Sequence, residues 1–209
     1  NLTDAKISGT NLEESNLKGA KLKRIMMRES KLRKSVLDGA TFEWSKLNRS
    51  DLYRVSAKEV NFSNARLKDA IFLEAELVQA NFTKAYCRRT IFEKANLQEA
   101  DFSHAKLEEA KLKEANLEKA NFSEANLLSA DLRNTNLQKA NFTKADLQKV
   151  DFRESDLRGA NLEGANLQGA VLQHANLEGV SFKNADLRNA ILYDAKMKGA
   201  VMPDGTLHQ

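Results

Sequence analysis

The chain has 209 residues, 30% of them charged, with a net charge of +4, one cysteine and one proline. A lone Cys87 rules out an internal disulfide, and no apolar run reaches the length a membrane-spanning helix needs. No linker interrupts the sequence, so one domain is expected.

From Leu2 to Met202 every fifth residue is apolar: 25 Leu, 10 Phe, 3 Met, Ile7, Ala57 and Cys87 fill 41 centre slots without a slip of phase. A period of five suits neither regular element. On an α-helix five residues turn about 500°, which smears the slots around the axis. On a flat strand an odd spacing alternates faces. A short unit that changes direction once per period satisfies both constraints. Two residues before each centre lies a small slot, Ala in 26 of 40 cases, which shares the inward face. The residue between them points outward and is Asn or Asp in 21 of 41 cases. The last two residues of each five hold the bend, where Asn and Gly tolerate the backbone angles of tight turns.

In chain order, residues 1–60 are the basic part, with 13 Lys/Arg against 8 Asp/Glu, and they carry the only tryptophan, Trp44. From Phe42 onward the phenylalanines set the coil size. Phe42, Phe62, Phe82, Phe102, Phe122, Phe142 and Phe182 lie multiples of twenty apart, and Phe72, Phe92 and Phe152 form a second set offset by ten. Four corners per coil give a square cross-section with the two Phe columns on opposite sides. Coils stacked as parallel neighbours at roughly 4.8 Å per rung make a rod about 50 Å long, right-handed as parallel crossovers are. The fold expected is therefore all-β: a right-handed quadrilateral parallel β-helix of about ten twenty-residue coils, spanning residues 1–202. Pro203 and the Asp204-Gly205 turn are expected to stop the ladder, which makes 203–209 a capping tail.

Runs such as Ala115-Asn116-Leu117-Glu118-Lys119 and Ala160-Asn161-Leu162-Glu163-Gly164 resemble the A(D/N)LXX units of pentapeptide repeat proteins. The resemblance covers essentially the whole chain and implies the same square β-helix. The ending from Met202 to His208 is similar to the tails of many cyanobacterial members. Some members mimic B-form DNA and inhibit or protect DNA gyrase, so the resemblance also implies a gyrase modulator as an alternative function. The basic charge opposes that alternative, because a duplex mimic needs a strongly acidic face.

Catalysis needs polar groups converging on a cavity. An interior of Ala, Leu and Phe offers none, so no enzyme, cofactor or metal is expected. His104 and His174 point outward from opposite sides and cannot share an ion. Cys87, in a centre slot, reads as a small buried hydrophobe.

Two surface patches stand out instead. A basic stripe combines Lys6, Arg28, Lys46, Arg49, Arg66, Lys68, Arg88 and Arg89, opposed over that stretch by Glu29 and Asp69 alone. Its ordinary reading is a solvated face. The sharper reading is a binding site for an anionic partner, nucleic acid or an acidic protein surface. Tyr86 interrupts it, but no aromatic ladder accompanies it. An apolar patch stacks Tyr53 on Leu73 and Ile71 on Ile91, rimmed by Arg54, Glu74 and Lys94; it reads as a protein contact, as ordinary packing of β-branched side chains along the sheet surface, or as cover for an upstream segment. Trp44, one coil above Arg24, is expected to form a cation–π pair or to serve as an anchor. The favoured function is a non-catalytic rigid scaffold that binds a protein. The chain opens at Asn1 in mid-repeat, which leaves the first coil uncapped, a surface for an upstream segment or a second subunit. The cytoplasm is favoured over the periplasm or thylakoid lumen, which would require a removed leader.

Overall fold

The computed structural model describes all 209 residues, and it is the right-handed square β-helix expected. Each five-residue unit is one side of the square. Its outward residue forms a single parallel bridge to the residue twenty positions on, from Lys6↔Met26 through to Ser181↔Val201. The bridges form four ladders. The first face runs through Thr41, Asn61, Asn81 and Asp101; the second through Met26, Lys46, Arg66 and Tyr86; the third through Asp51, Ile71, Ile91 and Lys111; the fourth through Ser56, Glu76, Asn96 and Asn116.

The corners follow from hydrogen bonding. The carbonyl of nearly every centre residue accepts from the N–H three residues on, as in Ala65 N–H to Phe62 at 3.0 Å and Ala105 N–H to Phe102 at 3.0 Å. The third residue of that turn has positive φ in every full coil, as type II turns require. Asn and Gly adopt such angles most readily. Gly fills a few of these positions, but most hold Glu, Lys, Arg or another residue with a side chain, Glu59 at φ 54° and Lys139 at 59° among them. Closing the square sets the angle, and the ladder bonds on both sides of the corner hold it. Asn and Asp act elsewhere, at the bridge position. The Oδ1 of Asn61 accepts from the Ser63 N–H at 2.9 Å, and Asp101 does the same for Ser103 at 2.9 Å. Their amides also bond up the rod: Asn121 donates to Asp101 at 3.1 Å and Asn141 to Asn121 at 3.1 Å. One side chain thereby fixes both the turn and the register.

The interior is one continuous apolar column of 60 buried residues, filled by the centre and small slots as expected. Rings twenty apart stack, with Phe82 and Phe102 at 4.7 Å between centroids and Phe102 and Phe122 at 5.0 Å. Rings ten apart meet edge to face across the axis, as Phe62 and Phe72 do at 5.6 Å and Phe82 and Phe92 at 5.5 Å. Both geometries suit the ring quadrupole. Where the small slot is Ser or Thr, the hydroxyl usually donates to a main-chain carbonyl, as Ser50 does to Met27 at 2.6 Å and Thr90 to Leu67 at 2.9 Å; the buried Ser45 hydroxyl is the exception. Burial pushes the Cys87 thiol up, as an inert core residue requires. After the last full coil the chain reverses at Asp204-Gly205, and Leu207 pairs antiparallel with Val201.

Candidate functional site

Everything that can contact a partner lies on the outside of the rod. No three His, Cys, Asp or Glu side chains gather into a metal-ligating group. His104 and His174 face their rung neighbours Glu124 and Asp194, at 3.4 and 2.8 Å. The surface depressions are shallow, about 290–350 Å³ each, and all lie in the first five coils.

The second face brings the basic stripe together, and the structure divides it. Arg49 reaches Glu29 at 3.2 Å, Arg89 reaches Asp69 at 2.7 Å, and Arg88 reaches Glu109 at 2.6 Å. The Arg89 guanidinium holds the Asp69 carboxyl below its usual range. Arg28, Lys46, Arg66 and Lys68 form no ion pair. Lys46 and Arg66 are direct bridge partners, so two like charges lie side by side on neighbouring rungs. Asn48 sits on the rung between Arg28 and Lys68, and its Oδ1 is buried without a hydrogen-bond partner. Tyr86 closes the patch, exposed to 45%, with the Lys106 ammonium 5.0 Å from its ring centre.

On the third face, Ile71 and Ile91 are bridge partners as expected, and Leu73 lies on the rung after Tyr53. All four side chains are half-buried. The charged rim covers Tyr53: Arg33 and Arg54 both lie 4.9 Å from its ring centre, one on the rung before and one beside it. Arg54 also reaches Glu74 at 2.7 Å. Period-two reasoning gave the direction of Tyr53 but not the reach of two arginine stems, which lie across apolar neighbours by habit. Trp44, on the first face, is 57% exposed. The cation–π pair expected with Arg24 does not form, because Arg24 grips Asp4 with two bonds of 2.6 Å.

One set of polar contacts escaped the sequence reading. Arg133, Arg153, Arg158 and Arg188 each fork onto the Asp two residues earlier, with closest contacts of 2.6, 2.5, 2.6 and 2.7 Å. The signal was present as a recurring Asp-x-Arg, in which the centre residue points inward and its two neighbours outward on one side.

Against known proteins, the pentapeptide repeat region model matches residues 85–162, and the pentapeptide repeats (8 copies) model matches 1–34, 35–72 and 165–202. The chain belongs to the pentapeptide repeat family. It is similar to HetL from the cyanobacterium Nostoc sp. strain PCC 7120, at 33% identity over 96% of this chain and 92% of that one, with a TM-score of 0.58. Rfr23 from the cyanobacterium Cyanothece 51142 is 36% identical over 42% of this chain and 63% of its own, with a TM-score of 0.24. QnrB1, a plasmid-mediated fluoroquinolone resistance protein, is 20% identical over 98% of this pentapeptide repeat chain and 91% of its own, with a TM-score of 0.36. No curated protein matches.

Proposed function

We propose that this pentapeptide repeat protein is a non-catalytic, rigid interaction module that binds another protein through its N-terminal half. The observation that carries this is the exposure of Trp44 on a rod whose interior is solid. A tryptophan more than half open to water offers much of its ring to a partner, and aromatic anchors of this kind dominate protein interfaces. The Tyr53 cluster, on the opposite side of the rod, supplies a second, half-buried contact rimmed by charge. HetL is involved in heterocyst differentiation regulation. A regulatory role of that general kind, exercised by contact, is the one we carry over to this chain. Duplex mimicry is disfavoured by the unpaired cations of the second face.

The test is affinity capture from a cell extract with quantified recovery. A protein retained by the wild type is expected to be lost with Trp44→Ala and reduced with Tyr53→Ala/Leu73→Ser. It should be retained by Leu128→Ala, which removes an exposed apolar side chain on a distant coil. Equal recovery from all four would overturn this reading.

A further inference from the structure

The notch around Asn48 goes beyond protein contact. We infer that it is a binding site for a compact phosphate-bearing anion, held by Arg28, Arg66 and Lys68, with Lys46 adding charge from the rung beside Arg66.

Four observations converge there. First, these four cations have no carboxylate partner, while Arg49, Arg88 and Arg89 beside them are all paired. Second, Lys46 and Arg66 are stacked on adjacent rungs, an arrangement that repels itself and is relieved by an anion between them. Third, Asn48 is shorter than the Arg28 and Lys68 side chains that flank it. The gap joins two depressions of about 350 and 340 Å³, which share Asn48 and Lys68. Fourth, the Oδ1 of Asn48 is buried and unpartnered, so the protein does not hold its amide, which can turn its N–H₂ toward a ligand. Two carboxylates, Glu29 and Asp69, also line the first depression, and each is paired with an arginine, Glu29 with Arg49 and Asp69 with Arg89.

The patch also limits the length of the ligand. Arg28 to Lys68 spans two rungs, roughly 10 Å. One rung past Arg88 and Arg89 the same face presents Glu108 and Glu109, and Glu109 is the residue that takes Arg88. A long polyanion laid along the rod meets these carboxylates, whereas a diphosphate fits within the cations. Tyr86, which lines the second depression, gives an aromatic surface next to the charge. The phosphate chemistry is common to an inorganic polyphosphate and to a nucleotide, and the ring is what would separate them.

The experiment is isothermal titration calorimetry of the intact chain with pyrophosphate and with ADP in 100 mM NaCl. Saturable one-to-one binding is expected for at least one of them. Arg66→Gln/Lys68→Gln should weaken it at least tenfold. Asn48→Leu, which keeps every cation and fills the notch, should do the same. Lys139→Gln/Lys144→Gln removes equal charge from distant coils and should leave affinity within twofold. Circular dichroism checks that these variants and Tyr86→Leu fold. Tighter binding of ADP, lost with Tyr86→Leu, identifies a nucleotide; equal binding of both probes identifies polyphosphate. No binding of either probe, or equal weakening in the distant variant, overturns the site. So does a single-stranded oligonucleotide whose affinity keeps rising with length. None of these readings involves the protein partner proposed above, so the two proposals fail separately.

Discussion

The first sixty residues and the coils that follow use the same period with different fillings. Among the small slots of residues 5–60, three of twelve are Ala; from 65 to 200, 23 of 28 are. The early coils contain one Phe and the later ones nine. The two trends offset each other. The square has one cross-section throughout, so bulkier Val, Ile and hydroxyl residues in the small slots accompany Leu and Met centres, and alanine accompanies the ring columns. The outer surfaces differ as well. Beyond Asp131 the arginines are neutralised within their own coil by Asp-x-Arg forks. In the early coils charges bridge between rungs or stay unpaired, and the one exposed tryptophan sits among them. The later arginines are paired within their own coil, whereas the early coils leave Arg28 and Arg66 open to a partner.

The largest test of this contrast is removal of a ring. Phe102 stacks on both Phe82 and Phe122 and meets Phe92 edge-on. Phe102→Ala is expected to cost about 3–5 kcal/mol, read by chemical denaturation. Leu32→Ala, in a coil without rings, should fall lower within the ~2–5 kcal/mol range for aliphatic truncation. Equal losses would show that the ring column adds nothing beyond buried area.

The small slot comes next. Ala100→Val places two methyl groups beside Phe102 and is expected to cost about 1–3 kcal/mol by overpacking. Val60→Ala removes the same volume from an early coil and should cost ~1 kcal/mol or a little more. A stabilised Ala100→Val variant would mean that the later interior is underfilled and that volume compensation fails there.

Why the fold was legible and the sites were not follows from the same chemistry. The spacing of Phe82 and Phe102 is a one-dimensional fact that the coil converts directly into a 4.7 Å stack. The direction of Tyr53 was equally readable. Its cover was not, because Arg33 lies twenty residues away and its reach depends on which acid competes for it. Arg24 shows the outcome of such competition, having taken Asp4 instead of Trp44. The stripe on the second face was visible as composition, but its division into paired and unpaired cations depends on whether a carboxylate lies one rung up or one rung down.

A smaller effect tests the corners. Glu59 and Lys139 adopt left-handed angles that cost side-chain-bearing residues energy and cost glycine none. Glu59→Gly and Lys139→Gly are each expected to stabilise by ~0.5 kcal/mol, the relief of strain exceeding the added entropy of the unfolded chain. Destabilisation at both positions would show that the ladder sets the angle with no residual strain.

The smallest expected effect concerns acid, and it separates the two regions by the origin of their ion pairs. Asp4 and Asp69 are held below the ordinary aspartate value of 3.8 by Arg24 and Arg89, twenty residues away. Asp156 and Asp186 are lowered by Arg158 and Arg188, two residues away. A depressed folded-state pKa adds stability that is fully present above the unfolded value and is lost as pH falls through the folded one. The thermal midpoint should therefore be flat from pH 8 to 5 and fall below about pH 4. A pair only two residues apart persists in part in the unfolded chain, which lowers the unfolded pKa as well and shrinks the difference. Bonds between rungs vanish on unfolding. Asp4→Asn/Asp69→Asn should accordingly flatten the acid limb more than Asp156→Asn/Asp186→Asn does, as measured by scanning calorimetry across that range. The reverse order would mean that the forks of the later coils are products of folding and contribute more than the bonds between rungs.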